Sequence, residues 1–145
     1  MHAFLDNPAL ALFALTGSIL VIHLLLLAFW TGTVRVRTKA WVNPEDAKLN
    51  KGAKVEVDHP DVQRVKRAHQ NALENVVPFF AVGLLFALTN PSLTAAKAYF
   101  FTFVAMRVLH SIFYLWGRQP FRTMTFAIGA LAMIGMAVQV IMAAV

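Results

Sequence analysis

Apolar positions along the chain gather into four long blocks separated by polar breaks. The first runs from Ala9 to Trp30, interrupted only by small polar residues and His23; the second covers about Val62 to Leu88, with its apolar part beginning near Val76. The third spans about Leu93 to Trp116, and the fourth, Met124–Val145, carries no charge. About 20 residues of helix, rising 1.5 Å each, cross the roughly 30 Å of bilayer hydrocarbon. Each block therefore predicts a membrane-spanning helix, with a kink at Pro78 in the second. Two breaks are short, Asn90–Ser92 and Gly117–Thr123, whereas Thr31–Asp61 forms a long loop. Within that loop Asn43 is placed to cap a short surface helix, with Pro44 at its first position and Glu45 and Asp46 complementing its dipole. Gly129, Ala132 and Gly135 form a small-residue stripe suited to close helix packing on the fourth span.

Composition sharpens this picture. Hydrophobic residues make up 59% of the 145, against about 45–50% in soluble domains, and the mean hydropathy is +0.62. The expectation is an all-α integral membrane protein, a four-transmembrane-helix bundle forming a single domain over residues 1–145. The first block is expected to be a retained helix and not a cleaved leader, because no basic stretch precedes it and it is long enough to span. There is no cysteine, so a disulfide, a thiolate metal site and an intrinsic nucleophilic thiol are excluded. Any sulfur chemistry has to come from a ligand. No histidine pair has metal-ligand spacing with an open carboxylate, and no metal is expected.

Charge orients the bundle. Residues 31–70 hold nine Lys and Arg, and the Gly117–Thr123 loop adds Arg118 and Arg122; the N-terminus, the Asn90–Ser92 turn and the C-terminus hold none, with Lys97 nearby. By the positive-inside rule the two basic loops lie on the cytoplasmic side and both termini on the opposite side. That rule and attraction to anionic headgroups account for the net charge of +6 without a nucleic-acid partner.

The polar residues that enter the spans converge on the same leaflet. Arg67, Asn71 and Glu74 follow an i, i+4, i+7 spacing on one face of the second helix, and Arg107, His110 and Tyr114 an i, i+3, i+7 spacing on the third. Arg35 ends the first helix there, and Arg122 and Thr123 begin the fourth. A charge near the bilayer centre costs about 2.5–3.5 kcal/mol on insertion scales, so Arg107 and Glu74 must face protein or water, with each other's helix as the obvious destination. A Glu74–Arg107 ion pair locking two helices is one reading, and a cationic, water-accessible pocket is the other. Taken singly, Arg35, Arg37, Lys39, Arg64 and Lys66 read as topology and headgroup charges, and Trp30, Tyr114 and Trp116 as an interfacial belt. His69 and His110 are candidate structural histidines, His59 belongs to the loop, and His23 faces an apolar span without an evident partner. The charges crowd one leaflet instead of lining a path across, which disfavours a channel or transporter. A pocket with surplus Arg, one Glu, an Asn and a Tyr suits an anionic ligand that carries its own amine, beside a lipophilic one. Glutathione fits: its carboxylates suit Arg forks, its ammonium suits Glu74, and its peptide groups suit Asn71 and Tyr114.

Four stretches, TGTVRVRTKAWVNPEDA, HPDVQRVKRAHQNALENVVPFF, RVLHSIFYLW and PFRTMTF, resemble the membrane-associated proteins in eicosanoid and glutathione metabolism, the MAPEG family. The similarity runs nearly end to end and is greatest to the microsomal prostaglandin E synthase and microsomal glutathione transferase branch. It implies a homotrimer of four-helix subunits in the bacterial inner membrane or the endoplasmic reticulum, with glutathione bound between neighbouring subunits near the cytoplasmic side. Matched by position, the implied glutathione contacts are Arg35, Arg67, Asn71, Glu74, Arg107, His110, Tyr114 and Arg122. Arg122 corresponds to the family's catalytic arginine, Thr123 to a serine proposed to assist the thiol, and Asp46 to an aspartate implicated in isomerase activity. Gln70 stands in place of an arginine, and Val77 and Phe126 in place of tyrosines; Gln70 and Phe126 are retained as candidate binding positions. The loop before Arg122 is one residue shorter than the pattern. The implied activity is glutathione-dependent transferase, peroxidase or isomerase chemistry on a lipophilic substrate. A non-enzymatic lipid-binding or scaffold role of the same fold is the alternative. Free thiols titrate near 8.5, and an arginine at a helix start is placed to lower that value.

Overall fold

The computed structural model describes residues 6–145; the expectation concerning the chain's first five residues lies outside them. Five helices follow in order: α1 Pro8–Thr38, α2 Pro44–Leu49, α3 Pro60–Leu88, α4 Leu93–Trp116 and α5 Phe121–Ala144. All except α2 are long and apolar enough to cross a membrane. Short connections after α3 and α4 reverse the chain, α1 packs chiefly on α3, and α4 packs chiefly on α5.

The helix ends explain where the elements stop. Asn7 caps α1, its Oδ1 accepting from the Ala9 and Leu10 amides at 2.9 and 3.0 Å, while its Nδ2 donates to Asn90 Oδ1 at 2.8 Å and ties α1 to the α3–α4 turn. The apolar block ends at Trp30, but α1 continues to Thr38 and closes where Lys39 turns left-handed at φ 52°. Hydropathy marks where hydrocarbon ends, and the backbone has no reason to stop there. α5 begins three residues before the predicted Met124, because Pro120 is accommodated at a helix start. Arg122 and Thr123 thus lie inside its first turn. Gly117 closes α4 at φ 67°, a conformation that glycine adopts without steric cost. α3 runs unbroken through Pro78.

Between α1 and α3 the chain folds back on itself. Two two-residue strands, β1 Ala40–Trp41 and β2 Ala53–Lys54, pair in parallel, an element the hydropathy pattern did not predict. Asn43 precedes α2 but does not cap its backbone; its Nδ2 instead donates to Asp46 Oδ2 at 3.0 Å.

One half of the bundle is a packed aromatic core. Phe79, Phe86, Phe100 and Phe103 are fully buried, and Phe79 stacks on Phe103 at 4.5 Å between ring centroids. Phe13 of α1 closes on Phe79 and Phe100 at 5.9 and 6.0 Å. Lipid is as apolar as these rings, so shape and dispersion hold this half together more than escape from water does. The polar residues occupy the other half.

Candidate active site

The polar half is built around Arg107. Its side chain is fully buried and packs beside Gly129 of α5. Arg107 Nη2 donates to Asn71 Oδ1 at 2.6 Å, bridging α4 to α3, and the guanidinium carbon lies 5.7 Å from the Phe126 ring centroid. Its Nε and Nη1 have no hydrogen-bond partner within the described residues. A guanidinium taken out of water and left with two unsatisfied nitrogens is costly, so the bundle holds a donor set suited to an anion.

Glu74 does not pair with Arg107. It is exposed on α3 and accepts from Gln70 Nε2 at 3.0 Å, while the exposed Arg67 donates to Gln63 Oε1 at 3.4 Å. The inter-helix ion pair, one of the two readings of the sequence, does not form: Arg107 bonds the neutral Asn71 instead, and Glu74 lies on the outward side of its helix. Arg67, Gln70 and Glu74 thus present a polar face on the outside of a single chain.

A cleft of about 230 Å³ gathers Asn71, His110, Tyr114, Arg122, Thr123 and Phe126. His110 is buried and its Nδ1 donates to the Arg122 carbonyl at 2.9 Å, which aims Nε2 away with no partner within the described residues. The Arg122 guanidinium carbon sits 4.7 Å from the Tyr114 ring centroid, a cation–π arrangement that steadies a mobile side chain. The Arg122 guanidinium and the positive end of α5 therefore meet at one opening, an arrangement suited to negative charge.

Arg35 lies elsewhere in the subunit, in a separate cleft of about 310 Å³ with Ala28, Thr31, Lys66, His69 and Gln70. It is anchored by Asp58, whose Oδ2 is 3.4 Å from Arg35 Nη2 and 2.9 Å from Lys66 Nζ. Burial raises the Asp58 pKa, but the Lys66 hydrogen bond and the Arg35 charge outweigh it and leave the carboxyl below the ordinary aspartate value. Asp46 is half-buried on α2, and its side chain contacts Asn43; no hydrogen bond joins it to the Arg122 cleft among the described residues. His23 has a partner after all, Ser111 Oγ at 3.0 Å from its Nε2. Among the described residues no group of three His, Asp or Glu is placed to hold a metal ion.

Sequence reasoning missed three residues that hold the polar side chains of this half in place. Asp58 anchors Arg35 and Lys66, Ser111 holds His23 while donating to the Arg107 carbonyl at 3.2 Å, and Gln119 contacts both Arg122 and Thr123. Only Gln119 had a local signal, its position three and four residues before two candidate residues at a helix start.

Comparison with known proteins agrees with this architecture. The model of the MAPEG family matches residues 13–142. Prostaglandin E synthase of Homo sapiens is 37% identical over 138 residues, covering 94% of this chain and 91% of that protein. Microsomal glutathione S-transferase 1 of Mus musculus is 37% identical over 135 residues, covering 89% of this chain and 86% of that protein. Matched over nearly its whole length, the chain belongs to the MAPEG family.

Proposed function

We propose that the protein is a glutathione-dependent membrane enzyme acting on a lipophilic electrophile or lipid peroxide, with chemistry of the transferase, peroxidase or prostaglandin E synthase type. The observation that carries the reading is the meeting of Arg122, Thr123 and Tyr114 at the start of α5 beside Asn71 and His110. The donor set fits glutathione: Arg107 has two buried unpartnered nitrogens for a carboxylate or carbonyl, and Asn71, Tyr114 and Glu74 complement its peptide and ammonium groups. When bound, glutathione supplies a thiol whose deprotonated form attacks carbon electrophiles or peroxide bonds. Arg122 favours the charged form of that sulfur through its guanidinium, reinforced by the α5 dipole. Thr123 donates a hydrogen bond to it. Tyr114 keeps the guanidinium in place, and Phe126 supplies an apolar wall toward the lipophilic substrate. A scaffold reading has less support, since a lipid binder has no use for a fully buried arginine with unsatisfied donors.

The division of the candidate residues between two clefts and one outward polar face supports a site completed by a neighbouring copy. Arg67, Gln70 and Glu74 are too polar to face lipid, and a second subunit presenting its Arg35 surface would cover them. We infer a homotrimer with its sites at the subunit boundaries on the cytoplasmic side and both termini opposite. The chain has no cysteine, so Asn50→Cys gives a clean label: a membrane-impermeant maleimide is expected to react only from the cytoplasmic side, and the detergent-corrected mass to equal three chains. Reaction from outside reverses the orientation. Isothermal titration with glutathione tests the function directly; saturable binding is expected, and no binding by a well-folded trimer removes the proposal.

A further inference from the structure

Gln119 ends the loop between α4 and α5, directly before Pro120. Its side chain reaches back over the first turn of α5. A guanidinium only donates, so the amide satisfies both neighbours with its oxygen turned to Arg122: Oε1 accepts from Nη2 at 2.7 Å and Nε at 3.2 Å, and Nε2 donates to Thr123 Oγ1 at 3.0 Å. The reversed amide would set donor against donor.

This arrangement treats the Thr123 hydroxyl differently from those of four other helical threonines. Thr16, Thr31, Thr33 and Thr125 each donate to the carbonyl one turn earlier, at 2.7, 2.9, 3.1 and 2.9 Å. Their single proton is spent on the backbone. Thr123 instead accepts from an amide, so its O–H remains available, and the residue is exposed at the cleft. Arg122 gains as well. Two of its N–H groups converge on one oxygen while the Tyr114 ring lies 4.7 Å from its guanidinium carbon, so a flexible side chain is held by two different contacts.

We propose that Gln119 is a positioning residue for thiol activation, locking the Arg122 guanidinium over the cleft and leaving the Thr123 proton free for the glutathione sulfur. The inference rests on the reading of Arg122 and Thr123 as the activating pair. Two donors fixed before the ligand arrives stabilise a thiolate better than a mobile cation and a hydroxyl turned to the backbone.

The test is titration of thiolate absorbance in the ultraviolet for the glutathione complex of the detergent-purified protein, with affinity measured by calorimetry. Trimer mass and thermal unfolding report that each variant remains folded. Gln119→Leu is expected to raise the thiolate pKa by about half to one unit while affinity changes less than about threefold. In that background Thr123→Ala is expected to shift the pKa less than it does in the wild type, because the hydroxyl has already lost its orientation. Gln119→Glu still accepts from Arg122 but draws the Thr123 proton to its own carboxylate, so it is expected to raise the pKa at least as far as Gln119→Leu. A Gln119→Leu complex titrating like the wild type, with Arg122→Ala and Thr123→Ala still shifted, overturns the role of Gln119 alone. Equal Thr123→Ala shifts in both backgrounds overturn it too. A wild-type thiolate pKa equal to that of free glutathione overturns the activating pair and this inference together.

Discussion

Phe103 and Arg107 stand one turn apart on α4 and both are fully buried. Phe103 stacks on Phe79 at 4.5 Å and has apolar neighbours on every side. The Arg107 side chain has one short hydrogen bond, to Asn71, and two nitrogens with no partner within the described residues. The same helix thus passes from packing that is complete within one chain to a donor set that one chain leaves incomplete. Stability is concentrated at the first place, and the second is maintained at its expense. Natural proteins violate local rules mainly at functional sites, where other interactions compensate.

The contrast predicts separable losses. The largest is expected from Phe79→Ala, whose ring meets Phe13, Phe80, Phe100 and Phe103: up to about 3–5 kcal/mol of stability, the scale of Phe→Ala in close-packed cores, read by unfolding in detergent, with glutathione affinity of the surviving folded protein little changed. Arg122→Ala should do the reverse, lowering turnover of an aromatic electrophile or lipid hydroperoxide by about 10²–10³-fold, the scale of a lost oxyanion donor, with smaller changes in binding and melting. If Arg122→Ala melts the bundle instead, the division between the two halves is wrong.

A third variant probes the boundary between structure and site. Asp58→Asn removes the anion holding Arg35 and Lys66 and is expected to cost about 1–3 kcal/mol at neutral pH. The folded carboxyl titrates below its ordinary value, so its contribution is fully present above about pH 4 and is lost as pH falls through the lower folded value. The deficit of the variant should therefore be constant from neutral pH down to about 4 and shrink below that, which acid unfolding of both proteins would measure. The smallest effect is assigned to Glu74→Gln: a roughly tenfold weaker glutathione affinity with unchanged melting, on the reasoning that a lost charge-assisted contact costs about 1.4 kcal/mol. Loss of the proposed trimer with normal binding would make Glu74 a structural residue.

Much of this was legible in the hydropathy and charge patterns. The four spans, and the assignment of Arg107, His110 and Tyr114 to one helix, follow from block length and 3.6-residue spacing, and those positions stand within a turn of where they were expected. A Glu74–Arg107 pair was one of two readings because both residues need shelter from lipid, yet helix rotation turned one outward and the other in, and rotation depends on packing that composition does not encode. Asp58 and the β1–β2 pairing arise from a chain reversal with no periodic signal. Gln119 required the atomic path of a loop. The proposed chemistry of the polar half rests on residue types at matched positions, whereas the contacts of those residues came only through geometry.

Thiolate stabilisation by Arg122, at the start of α5, is the proposal on which the chemistry of the polar half turns. It is tested most directly by titrating the thiolate absorbance of the glutathione complex in the wild type and in Arg122→Ala. A wild-type pKa below that of free glutathione and a return toward about 8.5 in the variant are expected. Saturable glutathione binding with the same unshifted pKa in both proteins would contradict it and would leave the lipid-binding scaffold as the better description.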